Sequence, residues 1–198
     1  MSKEFWDSRY NTEEYAYGTQ PNVYFKTFID SHTPGRILLP GEGEGRNAVY
    51  AALKGWDVSA VDQSAIGQKK ALHLAKMAGV TINYRVEDVL DLRGSEDAFD
   101  AIALVFLHLP PEVRTSIHQK LIQMLKSGGW FLLEAFHKDQ LGRNTGGPPV
   151  PEMLYDKETL LLDFKELKIM EIYEKLTEYD EGPYHQGEAA VIRMLASK

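Results

Sequence analysis

Cysteine is absent from the 198 residues of this chain. Its absence excludes a disulfide framework, a thiolate metal centre and a cysteine nucleophile, and no metal site is expected. Long apolar runs are missing too, and none approaches the roughly 18 residues that a membrane span needs. Basic runs are short, the longest being Lys69-Lys70, and 22 basic against 29 acidic residues leave a net charge of −7. A general nucleic-acid surface is therefore not expected. The N-terminus (Met1-Ser2-Lys3-Glu4-Phe5-Trp6-Asp7) lacks an apolar signal stretch, so the expectation is a cytoplasmic protein with no membrane partner. There is no internal repeat and no low-complexity segment. The remainder is ordinary globular material, 43% hydrophobic and 26% charged, of a length that suits one domain.

Against that background one stretch stands out, Arg36-Ile37-Leu38-Leu39-Pro40-Gly41-Glu42-Gly43-Glu44-Gly45-Arg46-Asn47. It reads as a buried strand, a tight glycine loop and the first turn of a helix. Glycines there let the backbone approach a ligand, and the helix points free N–H groups at whatever lies over the loop. The spacing is G-x-G-x-G, with Arg46 where a dinucleotide fingerprint places its third glycine. Glu42 and Glu44 would repel a pyrophosphate, whereas the sulfonium and ammonium groups of S-adenosylmethionine would be attracted. One of the two facing the cofactor suffices for that, and the spacing does not say which. Asp62 ends the next strand, seventeen residues after Gly45, about where an acidic group holds a ribose diol. Gln63 follows it, at the adenine edge.

Strands are expected near 36–40, 57–61, 81–86, 99–105 and 130–136, with helices near 46–54, 64–78, 110–126 and 156–163. Such alternation implies a parallel sheet covered on both faces, with ligands at the carboxyl ends of the strands. Gly41 to Gly45, Asp62, Asp88, Phe106 to His108 and Glu134 to His137 all fall at such ends. Two further strands, 167–176 and 189–195, are joined by Thr177 to Glu188, a segment too short for a crossover helix. An antiparallel closing hairpin follows. Before the sheet, residues 1–35 carry eight aromatic side chains and two short helical patterns, near 3–9 and 22–31, with Asn22 as cap of the second.

These motifs together resemble those of the class I S-adenosylmethionine-dependent methyltransferases, and within them the small tellurite-resistance and thiopurine methyltransferase-like enzymes. Gly41-Glu42-Gly43-Glu44-Gly45 matches the first motif and Val61-Asp62 the ribose-binding acid. Glu87-Asp88-Val89 matches the adenine-reading segment, and Leu125-Lys126-Ser127-Gly128-Gly129 the turn before the fifth strand. Pro40 departs from the pattern, standing where many relatives close the first strand with an acidic residue.

The resemblance implies a Rossmann-like α/β fold, a seven-stranded sheet mostly parallel with an antiparallel C-terminal strand. It implies an N-terminal helical cover or lid (1–35) on an S-adenosylmethionine-binding domain (36–198), the whole forming a single compact domain. Cofactor contacts are expected from Gly41, Glu42, Gly43, Gly45, Asp62, Gln63, Asp88, Val89, Phe106 and Tyr17, with Asp88 accepting from the adenine amino group and Val89 covering the ring. Arg9, Tyr17 and Gly18 are expected near the methionine moiety. The implied activity is methyl transfer to a small soft nucleophile (a thiol, selenium or tellurium species) or another small molecule, by a monomer or homodimer. The rivals are a nicotinamide-dependent oxidoreductase and a cofactor-binding protein without chemistry.

Among histidines, His185 in the loop Gly182 to Gly187 ranks first as a general base, then His108 and then His137. Arg46 is expected to pair with Glu42 or Glu44. The long loop Lys138 to Pro151, carrying Arg143 and Gly146-Gly147, either shapes the acceptor pocket or is flexible solvent loop.

Overall fold

Every expected strand is present, and most departures lie at element ends. The computed structural model describes residues 2–198; Met1, the first residue of the expected cover, lies outside them. Two compact units divide the chain, one running up to Arg93 and including Glu181–Tyr184, the other comprising Gly94–Asp180 and His185–Lys198.

In the first unit the order is α1 (Lys3–Tyr10), α2 (Val23–Ser31), β1 (Arg36–Pro40), α3 (Arg46–Leu53), β2 (Asp57–Asp62), α4 (Ala65–Met77) and β3 (Asn83–Val86). Asn22 caps α2 as expected, its side chain accepting from the Phe25 amide, and Ser64 does the same for α4 through Gly67. β2 pairs in parallel with β1 and β3. Ile37, Leu38 and Leu39 are all buried, which fits a strand covered on both faces. β3 starts at Asn83 rather than near 81. Val80 closes α4 by donating to the Ala75 carbonyl, so pairing begins only at Ser59 with Asn83.

The second unit holds β4 (Phe99–Val105), α5 (Pro111–Met124), β5 (Leu125–Phe136), α6 (Lys157–Asp163), β6 (Lys168–Asp180) and β7 (Gln186–Ser197). β5 runs parallel to β4, and β7 is antiparallel to both β5 and β6. The expected turn Leu125 to Gly129 lies inside β5. Register jumps from Phe99 opposite Leu125 to Ala101 opposite Trp130, so Lys126 to Gly129 form a bulge that takes up the two glycines. The closing hairpin is longer than expected, its strands reaching Asp180 and Gln186 and leaving a turn at Glu181–His185.

Strand order is β3-β2-β1 in the first unit and β4-β5-β7-β6 in the second, within a seven-stranded sheet. β6 is therefore an edge, with Met170, Tyr173 and Leu176 exposed along it among charged neighbours. No helix among the described residues is long and apolar enough to cross a membrane, and no metal-holding cluster of acidic residues and histidines occurs among them.

Candidate functional site

The glycine loop is tied to the end of β2. Gly41 and Glu42 both donate to the Val61 carbonyl, at 2.7 and 3.2 Å. Asp62 is buried beneath them and accepts from the Gly43 amide at 3.1 Å and the Ser64 amide at 2.8 Å. Burial pushes its carboxyl up to about 6 against those two bonds. Tyr84 donates its hydroxyl to the Gly43 carbonyl, and the Tyr10 ring lies over the same glycine.

Gly45, in the left-handed region at φ 90°, caps α3. A Cβ there would come within 2.5 Å of the Ala71 side chain of α4. It therefore does the close-packing work of a third glycine although the spacing is one residue short. Glu42 accepts from the Ala48 amide at 2.7 Å, in the first turn of α3. Burial nevertheless pushes its carboxyl up to about 7.

The other two charges of the loop face the N-terminal segment. Glu44 accepts from the Ala16 amide at 2.7 Å and pairs with Lys70 at 2.5 Å. Lys70 also donates to the carbonyls of Tyr10, Thr12 and Glu14. Arg46 does not pair with Glu42 or Glu44. Its guanidinium donates to the Tyr17 carbonyl at 3.1 Å and pairs with Glu181 at 2.9 Å, because the tip of the closing hairpin reaches it. Asn47 accepts from the Asn22 amide at 2.9 Å. Residues 10–22 are thus strapped across the loop, and both cations beside it are engaged by protein groups.

Tyr17 lies in this strap, half-buried, its hydroxyl accepting from Arg9 at 3.2 Å. The Arg9 guanidinium stacks 3.8 Å from the Tyr184 ring centre. Gln63 follows Asp62, half-buried. Asp88 is exposed at the turn after β3, accepting from the Leu90 amide at 2.9 Å, while Val89 is buried. The first unit therefore brings together Gly41, Glu42, Gly43, Gly45 and Asp62, with Tyr17 in the strap over the loop.

Phe106, His108 and His185 belong to the second unit. Phe106 is a bulky residue at φ 56°, its amide donating to the Glu134 carbonyl at 2.8 Å. Such a conformation costs on the order of 1–3 kcal/mol and persists only where surroundings enforce it. Here they do: its ring packs 4.6 Å from Phe136, 4.5 Å from His185 and 5.6 Å from Tyr179.

His108 has other employment. Nδ1 bonds the Met153 carbonyl at 2.9 Å and Nε2 accepts from the Phe136 amide at 3.3 Å, standing in for the next carbonyl of β4. Burial depresses its pKa to about 4. His137 lies 3.1 Å from the Asp139 amide through Nδ1 and 3.5 Å from Glu174 through Nε2. His185 is buried in the aromatic cluster.

Three arrangements escaped the sequence. Buried Glu134 pairs with Arg193 opposite it on β7 and accepts from the Tyr179 hydroxyl at 2.6 Å. His118 and Asp163 pair at 2.9 Å between α5 and α6. Gln140 pins the long loop to β7, accepting from the Ala190 amide at 2.8 Å. Glu134 and Gln140 lay in segments the sequence singled out, but the partners of neither were legible there.

Comparison with known proteins completes the description. A methyltransferase-domain family profile matches residues 37–129. A curated relative from Chromobacterium violaceum, ubiquinone biosynthesis O-methyltransferase, is 29% identical over 150 residues; the match covers 70% of this chain and 60% of the relative's length. A solved structure concerned with conversion of a disulfide bond into a thioacetal group during echinomycin biosynthesis superposes with a TM-score of 0.80 at 18% identity, over 99% of this chain and 92% of that one. TehB from Haemophilus influenzae gives a TM-score of 0.75 at 20% identity, over 99% and 66%. The structures attest the fold.

Proposed function

We propose that this chain is a class I S-adenosylmethionine-dependent methyltransferase that moves the methyl group to a small soft nucleophile, a thiol or a selenium or tellurium species. The cofactor assignment suits the residues present. The loop offers Glu42 as an anion and Asp62 as a hydroxyl acceptor, while Arg46 and Lys70 are both engaged by protein groups. That engagement is the observation that carries the assignment, because a phosphate over this loop would meet the Glu42 carboxylate while both neighbouring cations are bound to carboxylates of the protein. It weighs against a nicotinamide cofactor, as does the antiparallel β7.

In this proposal Gly41, Glu42, Gly43 and Gly45 hold the methionine end, Asp62 the ribose hydroxyls, and Gln63, Asp88 and Val89 the adenine. Tyr17 and Phe106 are assigned with them on the family resemblance. S-adenosylmethionine, when bound, supplies an electrophilic methyl on a sulfonium. The chain's own contribution is positioning and exclusion of water, which suffices for a nucleophile that needs little help to ionise. His185 is assigned as the base for acceptors that need one; His108, with both nitrogens on backbone groups, ranks below it. The relative in echinomycin biosynthesis, concerned with a disulfide and a thioacetal, lends support to a sulfur acceptor.

Calorimetric titration with S-adenosylhomocysteine, and NADH in parallel, tests the cofactor. Methyl-tritiated S-adenosylmethionine with 2-mercaptoethanol, thiophenol, selenide and tellurite tests the acceptor. Label on any of these carries the proposal. Binding of S-adenosylhomocysteine without transfer to any of them would leave a cofactor-binding protein and sink the acceptor class.

A further inference from the structure

The long loop after β5 is built rather than slack. Gln140 is buried at 2% exposure, and its side chain makes three bonds. It accepts from the Ala190 amide at 2.8 Å and donates to the Thr145 hydroxyl at 2.8 Å and the Gly146 carbonyl at 3.1 Å. Thr145 donates onward to the Glu188 carbonyl at 3.0 Å, and Arg143 pairs with the Glu188 carboxylate at 2.5 Å. These ties deliver Gly146 onto the aromatic cluster. Its φ is 120°, a value L side chains rarely adopt. A Cβ at Gly146 would fall 2.8 Å from His185 Cδ2, 3.1 Å from His185 Nε2 and 2.9 Å from Phe136 Cζ. The backbone of Gly146 therefore lies against the very edge of the imidazole that carries Nε2.

We infer that Gly146, held by Gln140, is a specificity-determining residue of the acceptor side. A base must come within hydrogen-bond reach of the proton it takes, and here the strap occupies the approach to one of the two ring nitrogens of His185. An acceptor using that nitrogen displaces the Gly146-Gly147 backbone, and its permitted bulk is set by how far Gln140 lets the strap yield. The inference rests on the assignment of His185 made above.

Diethyl pyrocarbonate modification, read peptide by peptide by mass spectrometry, tests the strap. Exposed His73 and fully buried His118 serve as internal references. In the parent protein His185 is expected to react far more slowly than His73. Gln140→Ala should speed its modification about tenfold or more, the change expected from losing one or more net hydrogen bonds, with His118 unchanged. Gly146→Ala, which cannot hold φ 120°, should do the same. In both variants the ratio of kcat/KM for benzyl mercaptan over 2-mercaptoethanol, two alkanethiols of similar acidity that are mostly protonated near neutral pH and differ in bulk, should rise while affinity for S-adenosylhomocysteine stays put.

An unchanged His185 rate, a parallel rise at His118, or an unchanged thiol ratio would overturn the inference. Wild-type turnover in His185→Asn would instead remove the base assignment on which it rests. If the parent methylates neither thiol, the acceptor class above fails and the modification rates alone decide the strap.

Discussion

The two units spend their buried charges differently. In the first, two carboxylates at the glycine loop are held by backbone amides, Asp62 by those of Gly43 and Ser64 and Glu42 by that of Ala48, while Glu44 pairs with Lys70 and Arg46 with Glu181. In the second, buried charge is matched side chain to side chain, Glu134 with Arg193 and Asp163 with His118. Backbone amides fix the place of a carboxylate without neutralising it, so the first unit keeps net anionic character at its loop. The paired charges of the second cancel locally, leaving an aromatic surround for His185.

The comparison breaks first at Glu134. Glu134→Ala leaves Arg193 buried without its carboxylate and is expected to cost about 3–5 kcal/mol in urea denaturation. A loss below about 1 kcal/mol would mean that the pair is not what neutralises this unit.

On the first unit, Asp62→Ala should weaken S-adenosylhomocysteine binding about a hundredfold by calorimetry, since a carboxylate's bonds to hydroxyls are charge-assisted. The fold should survive, because the amides of Gly43 and Ser64 can turn to water.

The pH dependence sharpens the contrast. Glu42 and Asp62 are held at about 7 and about 6 in the folded chain, above ordinary values of 4.5 and 3.8. The folded state therefore binds more protons than the unfolded state through this range, and stability falls as pH rises from about 4 to 7. Glu42→Gln removes part of that loss. It should stabilise the ligand-free protein by about 1–3 kcal/mol at pH 8 and hardly at all at pH 4, in denaturant titrations at the two values. Equal effects at both would show that Glu42 is not held protonation-ready by burial.

The smallest effect is at Asn22. Losing the cap of α2 in Asn22→Ala should cost about 1 kcal/mol, seen as a modest drop in melting temperature. An unchanged melting temperature would show that the strap does not depend on this helix start.

The loop, β1, β2 and Asp62 were legible because their information is contiguous: a buried strand, glycines, a helix start and an acid lie within residues 36–62. The closing hairpin was legible from the lack of helical period between its strands. The charges were not. A glutamate in a loop reads the same whether it faces a ligand or, like Glu44, an amide 28 residues earlier in the chain. Arg46 found its partner at Glu181, on a hairpin tip that no local pattern brings near. Gly128-Gly129 looked like a turn, and only the pairing of Phe99 and Ala101 shows that a bulge holds them. His108 sits where a base would sit, and its occupation by the Phe136 amide depends on the β4–β5 register.

The edge strand β6 carries one more consequence, for handling the protein in solution. Its exposed Met170, Tyr173 and Leu176 are interleaved with Glu171, Glu174, Lys175 and Glu178. Those charges deter a second copy from adding its own strand to the open ladder. Mild acid would remove much of the −7 that keeps copies apart near neutrality. Clouding of concentrated samples should therefore set in near the isoelectric point of about 5.4, at temperatures where the fold is still intact.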